Sequence, residues 1–204
     1  MKDKILLNDS LLNFTENDLP CLVTYSEKTG GSHFSIAMVA ELFVSGSKIL
    51  FLTAYPMAKE NFLEQVGENN TKITFVTSIE ELNKAKDFQV IILESGNEGL
   101  FLEVVKILPD LYDRVVLIKN MEIFSEKVFN ICLELEKVIL SGDIDACVDK
   151  ERISKKYYKT MVAFSKPKIS LPLEVPVLEK YNGYLLGQNK SGIVKILKDK
   201  VNKI

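Results

Sequence analysis

The chain has 204 residues, 47% apolar and 26% charged, which is enough to bury one sizeable core and suits a single α/β domain. Twenty-six Lys plus Arg against twenty-eight Asp plus Glu leave a net charge of -2, so no global field recruits nucleic acid or an anionic membrane, and any such contact is a local patch. The three cysteines, Cys21, Cys132 and Cys147, are far apart and lack CxxC spacing, which argues against a disulfide framework or a zinc site and for buried thiols in a reducing cytoplasm.

The start, "MKDKILLNDSLLNF", has neither a long apolar core nor a small-residue cleavage site, and no stretch approaches the roughly 18 apolar residues of a membrane span. A soluble, cytoplasmic protein with no membrane partner is expected. Short apolar runs then alternate with segments at helical period, the pattern of a mostly parallel sheet flanked by helices. The expected strands are Cys21 to Ser26, Lys48 to Ala54, Lys72 to Thr77, Phe88 to Ser95, Arg114 to Asn120 and Lys159 to Ser165. The expected helices are Ser35 to Val44, Ala58 to Val66, Ile79 to Lys84, Gly99 to Leu108 and Ser125 to Leu140. In the last, Val128, Ile131, Cys132, Leu135, Val138 and Ile139 share one helical face, Ser125 can cap the start and Gly142 can close the end.

The chain changes character at about residue 166. Pro167, Pro172 and Pro176 exclude long helices and central strands, and two short runs, "GYLLG" and "GIVKIL", flank turn residues Gln188 to Gly192. An extended edge segment and a β-hairpin over 166–204 are expected, attached to a core of about 19–165. No repeat or linker divides the chain, so 1–204 reads as one domain.

The connection between the first expected strand and helix, "EKTGGSHF", stands where a phosphate-binding loop would be. Such a loop reads G-x-x-x-x-G-K-[ST]: backbone N–H groups cradle phosphates, Lys reaches the outer phosphate oxygens and the hydroxyl ligates magnesium. With the helix start aligned, Glu27 takes the first glycine, Ser32 the second, His33 the lysine and Phe34 the hydroxyl, with Lys28, Thr29, Gly30 and Gly31 between them. A carboxylate at 27 repels polyphosphate, a mostly neutral imidazole at 33 has less reach than lysine, and Phe34 cannot bind a hard cation. A register with Ser35 at the hydroxyl puts Phe34 at the lysine and fares no better. Gly30 and Gly31 still permit a tight turn, and His33 is read either as a loop-surface residue or as a functional one.

On this loop, the helix "HFSIAMVAEL" and the strand-helix run "GSKILFLTAYPMAKENFLEQV", the chain resembles the core of the RecA-like ATPases, and within them the KaiC-type group, over about Leu19 to Phe164. The resemblance implies a RecA-like fold and assembly with similar subunits as a homo- or hetero-oligomer. It makes Glu94, at the end of "VIILES", the counterpart of the acidic residue that positions magnesium or water, and Lys119 and Asn120 counterparts of a γ-phosphate sensor. The family's acidic residue after the second strand is missing, since "TAYPMAKE" offers Tyr55 and Pro56 there. A chain that has lost its catalytic groups can keep its assembly interface, which leads to an inactive structural or regulatory subunit with no catalytic residues, no metal and no cofactor.

Other chemistries are poorly served. A lone histidine excludes multi-His metal sites, there is no G-x-S-x-G elbow, and Gly30 and Gly31 alone do not make a dinucleotide fingerprint. The densest basic patch, "RISKKYYK", interleaves Arg152, Lys155, Lys156 and Lys159 with Tyr157 and Tyr158. It suits a nucleic-acid contact through phosphates and stacked bases, or simply a solvated loop. An unconventional nucleotide binder using Glu94 and His33 is the remaining alternative. The segment around Phe101, Leu108 and Tyr112 looks exposed and apolar enough to pack on a neighbouring subunit.

Overall fold

Runs such as Val-Ile-Ile-Leu have no polar alternation, so a strand made from them must be covered on both faces. In the computed structural model, which describes residues 4–42, 48–53, 62–63, 73–84, 88–94, 98–107 and 111–197, such runs form the centre of one sheet. The strands are β1 (Lys4–Leu7), β2 (Ser10–Leu11), β3 (Cys21–Thr24), β4 (Ile49–Leu52), β5 (Ile73–Val76), β6 (Val90–Leu93), β7 (Val115–Lys119), β8 (Val138–Gly142), β9 (Thr160–Ala163), β10 (Gly183–Gly187) and β11 (Ser191–Leu197). Their spatial order is β2-β1-β11-β10-β9-β3-β8-β7-β6-β4-β5. The seven strands from β9 to β5 are parallel, and the other four extend the sheet antiparallel. This is the expected α/β architecture.

Side chains alternate between two cores. Leu22, Leu50, Ile91, Val116 and Leu140 face a layer built by α2 (Glu98–Ile107), α3 (Glu126–Glu134) and α4 (Lys150–Lys155). Val23, Phe51, Ile92, Leu117 and Ile139 face α1 (Gly31–Leu42) and the β1–β2 hairpin. Residues Phe34 to Val39 of α1 are all buried, so this helix is apolar around its circumference rather than amphipathic.

Three expectations change. The helix foreseen over Ser125 to Leu140 stops at Glu134, and Val138–Gly142 is instead β8, paired between β3 and β7. Val138, Ile139 and Leu140 continue a helical stripe on paper, but a short β-branched run is equally a strand core, and burial on both faces decides it. The helix foreseen from Ser35 begins four residues earlier, at Gly31, and is described to Leu42. Phe101, read as exposed, is buried in the α2 layer, while Tyr112 is exposed and Leu108 lies outside the described residues.

The expected strand positions all carry strands, Ile79–Lys84 is a 3-10 helix and α2 sits where foreseen. Of Ala58 to Val66, only 62 and 63 are described, and they are helical. The C-terminal hairpin is present as β10–β11 but is not an outer edge: β11 pairs with β1, so β2 closes that side. The proline-containing segment before it makes no strand. Ile169, Leu171, Leu173 and Val175 pack onto the α2–α3 core, pinned where the Asp145 carboxylate accepts from the backbone N–H groups of Lys168 (2.8 Å) and Ile169 (3.0 Å).

Candidate functional site

In open parallel sheets, ligand sites form outside the carboxyl ends of the strands. Here that edge carries Ser26 after β3, Asp143 after β8, Lys119 and Asn120 at β7, Glu94 after β6 and Thr53 after β4. The connection from β3 to α1 is six residues, 25 to 30, with Lys28 and Gly30 in the left-handed region at φ 61 and 99. The turn is tied internally: Thr29 Oγ1 donates to the Ser26 carbonyl at 2.7 Å, and the Ser26 N–H donates to Ser165 Oγ at 3.1 Å.

Tyr25 dominates this connection. Its ring lies against Gly31 so closely that a β-carbon built there would overlap it, and the side chain is only 8% exposed. Its hydroxyl donates to Asn120 Oδ1 at 3.4 Å and accepts from Ser141 Oγ at 3.5 Å. Ser141 also touches Ser35, whose hydroxyl donates to the Gly31 carbonyl at 2.8 Å. Burial raises the Tyr25 pKa, opposed by hydrogen bonds from Ser141 and Ser32 and reinforced by the Glu122 carboxylate. Glu122 in turn accepts from the Asp143 N–H at 3.0 Å.

The sequence-named residues are thus partly separated. Phe34 is in the core, edge-on to Phe164 with ring centroids 5.1 Å apart, and faces no ligand space. Glu27 and Lys28 are exposed, while Thr29, Gly30, Ser32 and His33 are half-buried. His33 lines a cavity with Gly30, Tyr181 and Ile196 among the described residues. Glu94 ends the third strand away from β3, about 14 Å across the sheet at ordinary strand spacing. Its carboxylate is engaged on both oxygens, by Lys119 Nζ at 2.7 Å and by Thr53 Oγ1 at 3.1 Å. Asn120 was singled out as a sensor counterpart, but Tyr25, Glu122 and Ser141 carried no motif signal. They become visible only when β8 is placed beside β3.

The basic segment is also divided. Arg152 pairs with Asp149 (3.3 Å) and Glu126 (3.7 Å), and Lys155 with Glu151 (4.0 Å). Lys156 Nζ turns inward and donates to the carbonyls of Leu133 (2.6 Å) and Leu135 (3.2 Å), closing the end of α3. Burial lowers the Lys156 pKa and raises that of Tyr158, whose buried hydroxyl has no hydrogen-bond partner among the described residues. Tyr157 is 67% exposed and accepts from Gln188 Nε2 at 2.7 Å. Lys156, Tyr157 and Lys159 line a groove of about 700 Å³ at the amino ends of β3, β8 and β9, together with Lys137 and with Glu16, Glu134 and Glu136. Three lysines facing three glutamates give that groove no net field for a polyanion.

Among the described residues, no group of three or more His, Cys, Asp or Glu could hold a metal ion, and no helix is long and apolar enough to cross a membrane. No protein-family model and no curated protein matches the chain. Among solved structures, it is similar to EssC (ATPases 2 and 3) from Geobacillus thermodenitrificans, with TM-score 0.52 and 12% identity over 87% of this chain and 36% of that one. The cytoplasmic domain of EssC aligns at TM-score 0.49 and 15% identity, covering 92% of this chain and 40% of that one. The chain therefore spans well under half the length of these neighbours, and what it shares with the first, at 12% identity, is the fold.

Proposed function

We propose that this chain is a single RecA-like domain whose phosphate loop is inert, serving as a cytoplasmic structural or regulatory subunit in an oligomer with similar domains. The observation that carries this reading is the packing of Tyr25 on Gly31. The strand–loop–helix pattern can be laid on the observed boundaries, strand ending at Thr24 and helix starting at Gly31. Tyr25 then takes the first glycine, Gly30 the second, Gly31 the lysine and Ser32 the magnesium hydroxyl. This register lies two residues before the one read from sequence, and it recovers a glycine and a serine. It still lacks the lysine, and the place a lysine would need is filled by a phenol ring.

Charge supports the same reading. Glu94 is neutralised by Lys119, and Glu122, whose carboxylate acts on Tyr25, is bound to the Asp143 N–H. Glu94, engaged on both oxygens, would have to give up Lys119 or Thr53 to hold a magnesium–phosphate complex. A nucleic-acid role for Arg152 to Lys159 is the weaker reading, because Lys156 and Tyr158 are turned inward.

The test is ATP turnover by the purified protein together with its mass in solution. The expected result is no magnesium-dependent hydrolysis above background and a mass corresponding to an assembly. Hydrolysis that is abolished by Ser32→Ala or His33→Ala overturns the inert-loop reading, and a monomer at micromolar concentration overturns the assembly.

A further inference from the structure

Against the loop lies a cavity of about 540 Å³, lined among the described residues by Gly30, His33, Tyr181 and Ile196. That volume is in the range of small-molecule sites. The described part of its walls offers two flat rings and an aliphatic side chain. Tyr181 is 57% exposed, with Lys180 Nζ over its ring at 4.9 Å.

Backbone conformation marks the same place. Tyr181 has φ 67, a region that is costly for an aromatic residue, and it faces Gly30 at φ 99, with Lys28 at φ 61 two residues earlier. A β-carbon at Gly30 would stand 3.5 Å from Tyr181 Cδ1, an ordinary contact, so the φ of 99 rather than crowding by the ring is what calls for glycine there. The exposed ring buries too little surface for core packing to explain its strained position.

We propose that this cavity binds a flat aromatic ring, stacked on Tyr181 and edged by the His33 imidazole. Stacking needs an open π-face, and with Lys180 Nζ over one face of the half-exposed Tyr181 ring, the other face is the one a ligand would meet, without any phosphate contact. Nucleosides and aromatic amino acids share this chemistry. The site does not require the loop to be inert.

His33 is the single histidine of the chain, so its imidazole proton signals report on the cavity without further assignment. Adenosine, uridine and L-tryptophan are titrated separately into the full-length protein. At least one is expected to shift the His33 signals saturably through its ring current. Tyr181→Asn, which tolerates the left-handed backbone, is expected to weaken that probe about tenfold. Tyr181→Phe should retain binding, and Tyr157→Asn at the opposite edge should not change it. Saturation by the nucleosides alone identifies them as the ligand class, and saturation by tryptophan alone identifies aromatic amino acids. No shift with any probe, or equal affinity in Tyr181→Asn, overturns the proposal. ATP binding a hundredfold tighter than adenosine would leave the ring site standing and overturn the inert loop instead.

Discussion

At the carboxyl edge of the sheet, the side chains of the Glu94–Lys119 pair are 13% and 12% exposed, whereas at the amino edge those of Glu16 and Lys137 are 52% and 38% exposed. The first pair is shielded and supported by Thr53, and the second, at 2.9 Å, sits in water on the rim of an open groove. An ion pair in water is worth little, while one out of water is costly to break. The edge at which this fold class places its chemistry is therefore the edge where this chain has tied its polar groups to one another. The open groove lies at the other end of the strands.

The largest effect expected from this contrast is at Lys119. Lys119→Met strands the Glu94 carboxylate and should cost about 3 kcal/mol in urea unfolding, with Glu94→Gln in the same chain recovering part of it. A loss below about 1 kcal/mol would mean that the pair behaves as a surface pair and that the edge is open. Next comes Gly31→Ala, which drives a methyl group into the Tyr25 ring and should cost about 2 kcal/mol. Combined with Tyr25→Ala, the cost should be less than the sum of the two single changes. Strict additivity would show that the ring does not occupy the space at Gly31. Smallest is Lys156→Met at the amino edge, which removes two hydrogen bonds to the end of α3 and should cost about 1 kcal/mol. If it equalled the Lys119 change, the distinction between the edges would disappear.

Much of the fold was legible because the central strands are continuous apolar runs bounded by polar residues. β8 was not, since Val138, Ile139 and Leu140 extend the apolar stripe of the preceding helix, and only their pairing with β3 and β7 separates the two readings. The first hairpin was overlooked because its signal is two residues, Asn8 and Asp9, held at φ 48 and 65, between strands of four and two residues. At the site, the glycine pair and the missing lysine were visible in the sequence. The loop register was not, because it depends on where α1 begins. Tyr25 was equally hidden, since an aromatic residue after a strand carries no motif, and its meaning comes from Gly31, Asn120 and Ser141 around it. Lys156 looked like a surface charge because a sequence does not show that its amine reaches carbonyls 21 and 23 residues away.

The pairing of β1 with β11 joins residues almost two hundred positions apart, Lys4 with Leu197 and Leu7 with Val194. During synthesis the edge of β1 that meets β11 must wait, its hydrogen bonds to that strand unmade, until residues 191–197 have been made, while its other edge can already pair with β2. Ile5, buried in the finished protein, is exposed for that interval, which makes the antiparallel wing the late-closing part of the molecule and a natural place for a chaperone to hold it.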